Sequence, residues 1–227
     1  IAPPGFSTAS PEHHPGDDAR MCGIVGYVGP REAVPILMDG LKRLEYRGYD
    51  SAGVALLNGS GLQIVKRPGK LKALEAAIAE ATPKGHCGIA HTRWATHGAP
   101  TEPNAHPHAS RGGDIALIHN GIFENAPGIK RQLESEGYEF VSETDTEVVV
   151  QLIDHLWVDG MPLEDAVAAA LRLVEGAYGI AVISTRDPDK IVVARHGSPL
   201  LIGIGENGEM LAGSDAAAVI SHTREVV

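Results

Sequence analysis

Apolar and polar positions along the chain follow two periods, and they divide it into strands and helices. Residues 22–28 form an apolar run closed by Gly29-Pro30, which predicts a buried strand. Over 32–46, Val34, Leu37, Met38, Leu41 and Leu44 recur at helical spacing, with Pro35 in the tolerant first turn. Strands are predicted at 52–57 and 62–66 around the hairpin-like turn Asn58-Gly59-Ser60-Gly61. A short helix at about 70–80 carries Leu71, Leu74 and Ile78, and a strand follows at 86–92. Trp94 to Pro107 contains Gly98, Pro100 and Pro103 and reads as an ordered functional loop or lid. Ile115 to His119 is a strand ending in Asn120-Gly121, and the weak helix pattern at 124–136 is broken or kinked by Pro127-Gly128.

Thr144-Asp145-Thr146-Glu147 has capping-box spacing, and Val148, Val149, Leu152, Ile153 and Leu156 behind it give an amphipathic helix. Another helix is predicted at 163–174, then strands at 178–184, 190–195, 200–204 and 209–212. The fold class is α+β, sheets covered by helices.

The chain has 227 residues and a formal net charge of −10, which argues against a nucleic-acid or anionic-membrane surface. No apolar run is long enough to cross a bilayer. With only two cysteines, Cys22 and Cys87, a disulfide framework is not expected and a reducing cytoplasm fits. Residues 1–20 are rich in proline and lack hydrophobic periodicity, so they read as a disordered leader or non-native upstream segment, with 21–227 as the domain.

Met21-Cys22-Gly23 changes the picture. If Cys22 becomes the first residue, it carries both a thiol and an α-amine of reference pKa about 7.7–8.0, a base suited to activating its own thiol. If the upstream residues stay attached, that nitrogen is an amide and accepts no proton. Cys87 reads as a small buried hydrophobe in a strand. Arg93, at a strand end, is either a surface cation stacked on Trp94 or a planar fork for a carboxylate. Trp94 would then begin a lid. Asn120-Gly121 is either a turn or an oxyanion hole built from a side-chain amide and a backbone N–H. Asp145 is a helix-start residue and equally a partner for an ammonium group. Histidines 86, 91, 97, 106, 108 and 119 raise a zinc site, but familiar ligand spacing is lacking and hydrogen-bonded loop histidines are preferred; no metal is assigned.

Met21 to Gly26, Glu45 to Ser51, His91 to Gly98, Asn104 to His108, His119-Asn120-Gly121 and Ser142 to Glu147 occur in an order that resembles the glutaminase domain of glucosamine-6-phosphate synthases (glutamine–fructose-6-phosphate aminotransferase, isomerising). These are type-2 glutamine amidotransferases. Purine-pathway amidotransferases share the N-terminal cysteine but differ in the arginine strand.

The resemblance implies an N-terminal-nucleophile (Ntn) hydrolase fold, a four-layer αββα sandwich. It implies L-glutamine as substrate and no cofactor. Cys22 would be the nucleophile, Asn120 and Gly121 the oxyanion hole, Arg93 the carboxylate partner and Asp145 the ammonium partner. Trp94, Thr96 and His97 would close over the substrate, and Arg47 would support the nucleophile. The family continues into C-terminal fructose-6-phosphate-binding isomerase domains, absent here, and its full-length enzyme is expected to be a homo-oligomer. Ala126-Pro127-Gly128 departs from the family's plainer helix start. Two rival readings follow: a glutamine-binding module without turnover if the leader stays attached, and an amidotransferase with another acceptor.

Overall fold

The computed structural model describes residues 22–95 and 98–227; the leader and the two lid positions Thr96 and His97 lie outside the described residues. One sheet holds seven strands in the order β11-β9-β10-β1-β4-β2-β3. These are β1 (Gly23–Val28), β2 (Ser51–Asn58), β3 (Gly61–Pro68), β4 (Cys87–Arg93), β9 (Leu201–Ile204), β10 (Met210–Gly213) and β11 (Glu225–Val226). The second sheet is β5-β6-β7-β8, with β5 (His108–Ala109), β6 (Ile115–Phe123), β7 (Gly176–Ser184) and β8 (Asp187–His196). The helices are α1 (Ala33–Arg43), α2 (Leu71–Ala81), α3 (Ala126–Ser135), α4 (Asp145–Leu156) and α5 (Leu163–Leu171).

Strand parity builds the layers, because successive side chains point to opposite faces. In the first sheet, Val25, Tyr27, Val54, Leu56 and Ala90 pack with Leu37 and Leu41 of α1 and Leu74 of α2. Their neighbours Ile24, Ala55, Leu57, Cys87 and Ile89 face the other way and meet Ala116, Ile118, Ala181 and Ile183 of the second sheet. Ile115 and Leu117, on the far side of β6, pack with Val149 and Ile153 of α4 and Val167 of α5. The order is helix, sheet, sheet, helix: the expected αββα sandwich, with Cys87 buried between the sheets.

Several expectations change in detail. Asn120-Gly121 does not end its strand. β6 runs on to Phe123, with Asn120 opposite Gly179 and Gly121 opposite Tyr178 on β7. Nor does Pro127-Gly128 break the following helix. Pro127 lies in the first turn of α3, where its missing N–H costs nothing. The predicted helix 32–46 ends earlier, at Arg43, and a 3₁₀ turn spans Glu45–Arg47. Thr144 caps α4 by accepting from the Glu147 N–H at 3.3 Å. The Glu147 carboxylate, however, accepts from the Val141 and Ser142 N–H groups rather than completing a capping box. The two-residue strands β5 and β11 are too short to leave a periodic signal.

The loop after β4 is tied to the first sheet. Lys66 on β3 donates from Nζ to the carbonyls of Pro103, Ala105 and Pro107 at 3.2, 2.8 and 3.3 Å. Burial pulls this ammonium down to about 8, against the Glu147 and Glu102 charges that raise it. The loop passes so close to β2 that a Cβ on Gly53 would lie 2.3 Å from the His106 carbonyl oxygen.

Candidate active site

The parity that builds the inter-sheet core also builds the site. Continuing from Ile24 to residue 22, from Ile89 through 91 to 93, and from Ile118 to 120 puts Cys22, His91, Arg93 and Asn120 on the facing sides of the two sheets. Register aligns them at one end, because β1 pairs Gly23 with Thr92 and β2 pairs Ser51 with Arg93.

Cys22 is half-buried and held at two atoms, its sulfur and its carbonyl oxygen. Its Sγ accepts from the Trp94 N–H at 3.2 Å and lies 3.7 Å from the Trp94 carbonyl. Its own carbonyl accepts from Asn120 Nδ2 at 2.8 Å. The next two residues fix the strand: Gly23 N–H donates to Thr92 Oγ1 at 3.1 Å and Ile24 N–H to Ser214 Oγ at 3.0 Å. Burial pushes the thiol up; the Trp94 N–H and the Arg93 charge pull it down, and the Asp50 carboxylate opposes them, for a net rise. A thiol held this way keeps its proton at neutral pH and needs a nearby base to lose it.

Trp94 is exposed, and its ring lies against Gly48. Asp50 accepts from the Ala95 N–H at 2.5 Å and so pins the start of the loop. Arg93 is buried at the end of β4, with Nη1 3.5 Å from the Ala99 carbonyl. That carbonyl also accepts from Asn104 Nδ2 at 3.0 Å, and Asn104 pairs with Glu143, two residues before Asp145. Asp145 Oδ2 accepts from the Phe123 N–H at 2.8 Å, which fastens the start of α4 to the end of β6. A cavity of about 240 Å³ beside it is lined by Ile122, Phe123, Glu143, Thr144 and Asp145. Its lining includes Asp145 but not Cys22, Arg93 or Asn120. Gly121 has φ +120°, and a Cβ there would lie 2.0 Å from the Ala177 carbonyl oxygen. Only glycine fits. Arg47 is buried, and its Nη2 lies 2.5 Å from Asp215 Oδ2. Asp215 Oδ1 in turn accepts from the Ala217 N–H at 2.8 Å, which ties Arg47 to the strand end after β10.

Sequence reasoning weighed His91 only among the histidines of a possible zinc site and gave Asp50 and Thr146 no role. His91 could have been found by stepping two residues back from Arg93 along the strand. Its Nε2 lies 2.9 Å from Asn120 Oδ1. Its ring packs on His106, with centroids 4.4 Å apart, and His106 on His108 at 4.8 Å. Thr146 Oγ1 meets His106 Nε2 at 2.7 Å and His119 Nδ1 at 3.1 Å. Thr144 Oγ1 meets His108 Nε2 at 3.0 Å. His119 Nδ1 is 3.9 Å from Asp145. Among the described residues, no three or more His, Cys, Asp or Glu side chains group to hold a metal ion.

Burial lowers all four histidines: His91 to about 3, His119 to about 4, and His106 and His108 well below their usual value. Their folded pKa values lie below the unfolded reference of about 6.5, so the unfolded chain binds more protons as pH falls below that value. Stability is therefore complete above about pH 6.5 and is lost as pH falls toward the folded values. The slope reaches about 1.4 kcal/mol per pH unit for each histidine involved. Urea midpoints are expected to drop steeply between pH 7 and pH 5; equal midpoints would show that these rings are not held neutral.

Comparison with known proteins adds the family. The glutamine amidotransferase domain matches residues 91–221, more than half the chain. A glutamine–fructose-6-phosphate aminotransferase (isomerizing) of Chlorobaculum tepidum is 58% identical over 212 residues, covering 91% of this chain and 34% of its own length. The Thermus thermophilus enzyme of the same name is 54% identical over 207 residues, with 91% and 34% coverage. The chain thus spans about a third of the length of these relatives and corresponds to their N-terminal part. Among solved structures, the glutamine phosphoribosylpyrophosphate amidotransferase of B. subtilis superposes with TM-score 0.74 at 29% identity, covering 89% of this chain and 44% of that one. The sandwich is that of the Ntn amidotransferases, and the chain belongs to the glutamine amidotransferase domain family.

Proposed function

We propose that this chain is the glutamine-hydrolysing portion of a glutamine–fructose-6-phosphate aminotransferase, with Cys22 as its nucleophile. The observation that carries this reading is the seating of Cys22: its sulfur lies on the Trp94 main chain while its carbonyl is held by Asn120.

The chemistry follows from the residues. The α-amine of Cys22 takes the thiol proton, and sulfur attacks the Cδ of L-glutamine. The carbonyl π electrons move to oxygen, and the oxyanion is held by the Asn120 amide and the Gly121 N–H. The ammonium then protonates the departing nitrogen, the C–N bond breaks, and ammonia leaves a glutamyl thioester. The same amine takes a proton from water, which adds to the thioester. Sulfur leaves and recovers its proton, giving glutamate. The Arg93 fork suits the α-carboxylate and Asp145 the α-ammonium. Trp94, together with Thr96 and His97, closes over the substrate. Arg47 supports the nucleophile through Asp215. No step calls for a cofactor.

The longer relatives are named for fructose 6-phosphate, and we place the acceptor site in C-terminal domains beyond this chain. Alone, the chain releases ammonia to water. No helix among the described residues is long and apolar enough to cross a membrane. We assign the enzyme to the cytoplasm and expect the full-length form to be a homo-oligomer.

The base is the α-amine only if the chain is cut before Cys22. Ammonia release from glutamine is expected from protein whose intact mass shows Cys22 at its start, and not from protein that retains the upstream residues. Equal rates from both forms would remove the amine from the mechanism. Silence from both would remove the glutaminase reading.

A further inference from the structure

We propose that His91 is a positioning residue that sets the orientation of the Asn120 amide in the oxyanion hole. The proposal rests on the reading of Asn120 as an oxyanion donor.

The Asn120 side chain is held at both ends. One end faces the Cys22 carbonyl oxygen at 2.8 Å, which can only accept, so that end is the NH2 group. The other end is therefore the amide oxygen, which also can only accept, and it lies 2.9 Å from His91 Nε2. His91 must carry its proton on Nε2. A bare Nε2 would set one lone pair against another, and flipping the amide to avoid this would set oxygen against the Cys22 carbonyl. An amide NH2 has two hydrogens. With one committed to Cys22, the plane fixed by His91 decides where the second points, and that second hydrogen is the candidate oxyanion donor. A donor turned out of line loses most of its hydrogen bond.

The ring itself cannot turn freely. It is fully buried on β4 and packs on the His106 ring at 4.4 Å, and His106 is anchored to Thr146 at the start of α4. The other ring nitrogen, Nδ1, is buried with no hydrogen-bond partner among the described residues, so which nitrogen carries the proton is the quantity to measure. Burial keeps the imidazole neutral across the working range, consistent with one donor and one bare nitrogen. Its hydrogen bond to the site runs to Asn120, and its effect on the reaction passes through that side chain.

Two measurements test this. Histidine ¹⁵N NMR of the unsubstituted protein is expected to show His91 with a protonated Nε2 and a bare Nδ1. The reverse tautomer overturns the proposal whether or not the protein hydrolyses glutamine. In the form beginning at Cys22, His91→Phe is expected to lower kcat for ammonia release about 10–100-fold, with KM little changed. His91→Gln, which can present an N–H near the Nε2 position, is expected to recover much of the loss. Alkylation of Cys22 by iodoacetamide needs no oxyanion hole and is expected to keep its rate in His91→Phe.

In an Asn120→Ala background, His91→Phe is expected to cost little more, because the group it acts through is gone. Additive losses, or a matching fall in alkylation, would overturn the proposal and assign His91 to packing alone. If the unsubstituted form releases no ammonia, the glutaminase reading fails and the tautomer still decides the contact.

Discussion

Cys22→Ala is expected to reduce ammonia release from glutamine to background, a loss on the order of 10⁶-fold by analogy with nucleophile removal in covalent hydrolases. The size follows from what the residue supplies. The substitution removes the attacking sulfur while leaving the terminal amine, the Asn120 amide and the Arg93 fork in place, so binding survives and the covalent route does not. The control is Cys87→Ala. Cys87 is buried between the sheets at the opposite end of β4 from Arg93, six residues or roughly 20 Å away by strand rise. Burial drives its thiol up to about 12, so it is no nucleophile. Its loss is expected to lower stability and leave kcat intact. Wild-type ammonia release from Cys22→Ala, measured by a coupled assay, would end the account of the nucleophile.

Asn120→Ala is expected to lower kcat about 10²–10³-fold, the usual consequence of deleting one oxyanion donor. KM is expected to change little, because the donor meets charge that exists only in the tetrahedral species. Asn120→Asp is a sharper case. It puts a carboxylate against the developing oxyanion and against the Cys22 carbonyl, so it is expected to be at least as damaging as alanine despite its near-identical shape. Two steady-state curves decide this. A loss confined to KM would mean that Asn120 binds glutamine and does not stabilise the reaction's charge.

Much of this site was legible in the sequence because strand parity carries information across the fold. Once 22–28 and 86–92 are read as strands, the pairing of Gly23 with Thr92 sets Cys22 and Arg93 on the same inner face. Asp145 was legible twice, as the first residue of a capped helix and as a candidate ammonium partner, and the structure places it against the end of β6.

What escaped was information that no local window holds. Asn120-Gly121 carries a strong turn signal, yet β6 continues through it because nine residues pair with β7 and the φ of Gly121 accommodates a close approach to Ala177. Pro127 reads as a breaker until the start of α3 is known, after which it is a favourable first-turn residue. The histidines at 91, 106, 108 and 119 looked like separate loop residues. They converge only because β4, β6 and the start of α4 meet, and Thr144, which caps α4, and Thr146 in its first turn also bond their rings. Asp50 falls within the Glu45 to Ser51 block, but its bond to the Ala95 N–H depends on β2 lying beside β4.

Catalysis by Cys22 requires a covalent bond between its sulfur and the side-chain carbonyl carbon of glutamine. Rapid acid quench of protein beginning at Cys22 and saturated with glutamine, followed by peptide mass spectrometry, tests it directly. The expected result is a glutamyl adduct on the peptide that carries Cys22, appearing before steady-state ammonia and disappearing as substrate is exhausted. Ammonia release with no adduct at Cys22 at any time, or an adduct on Cys87 instead, would contradict it.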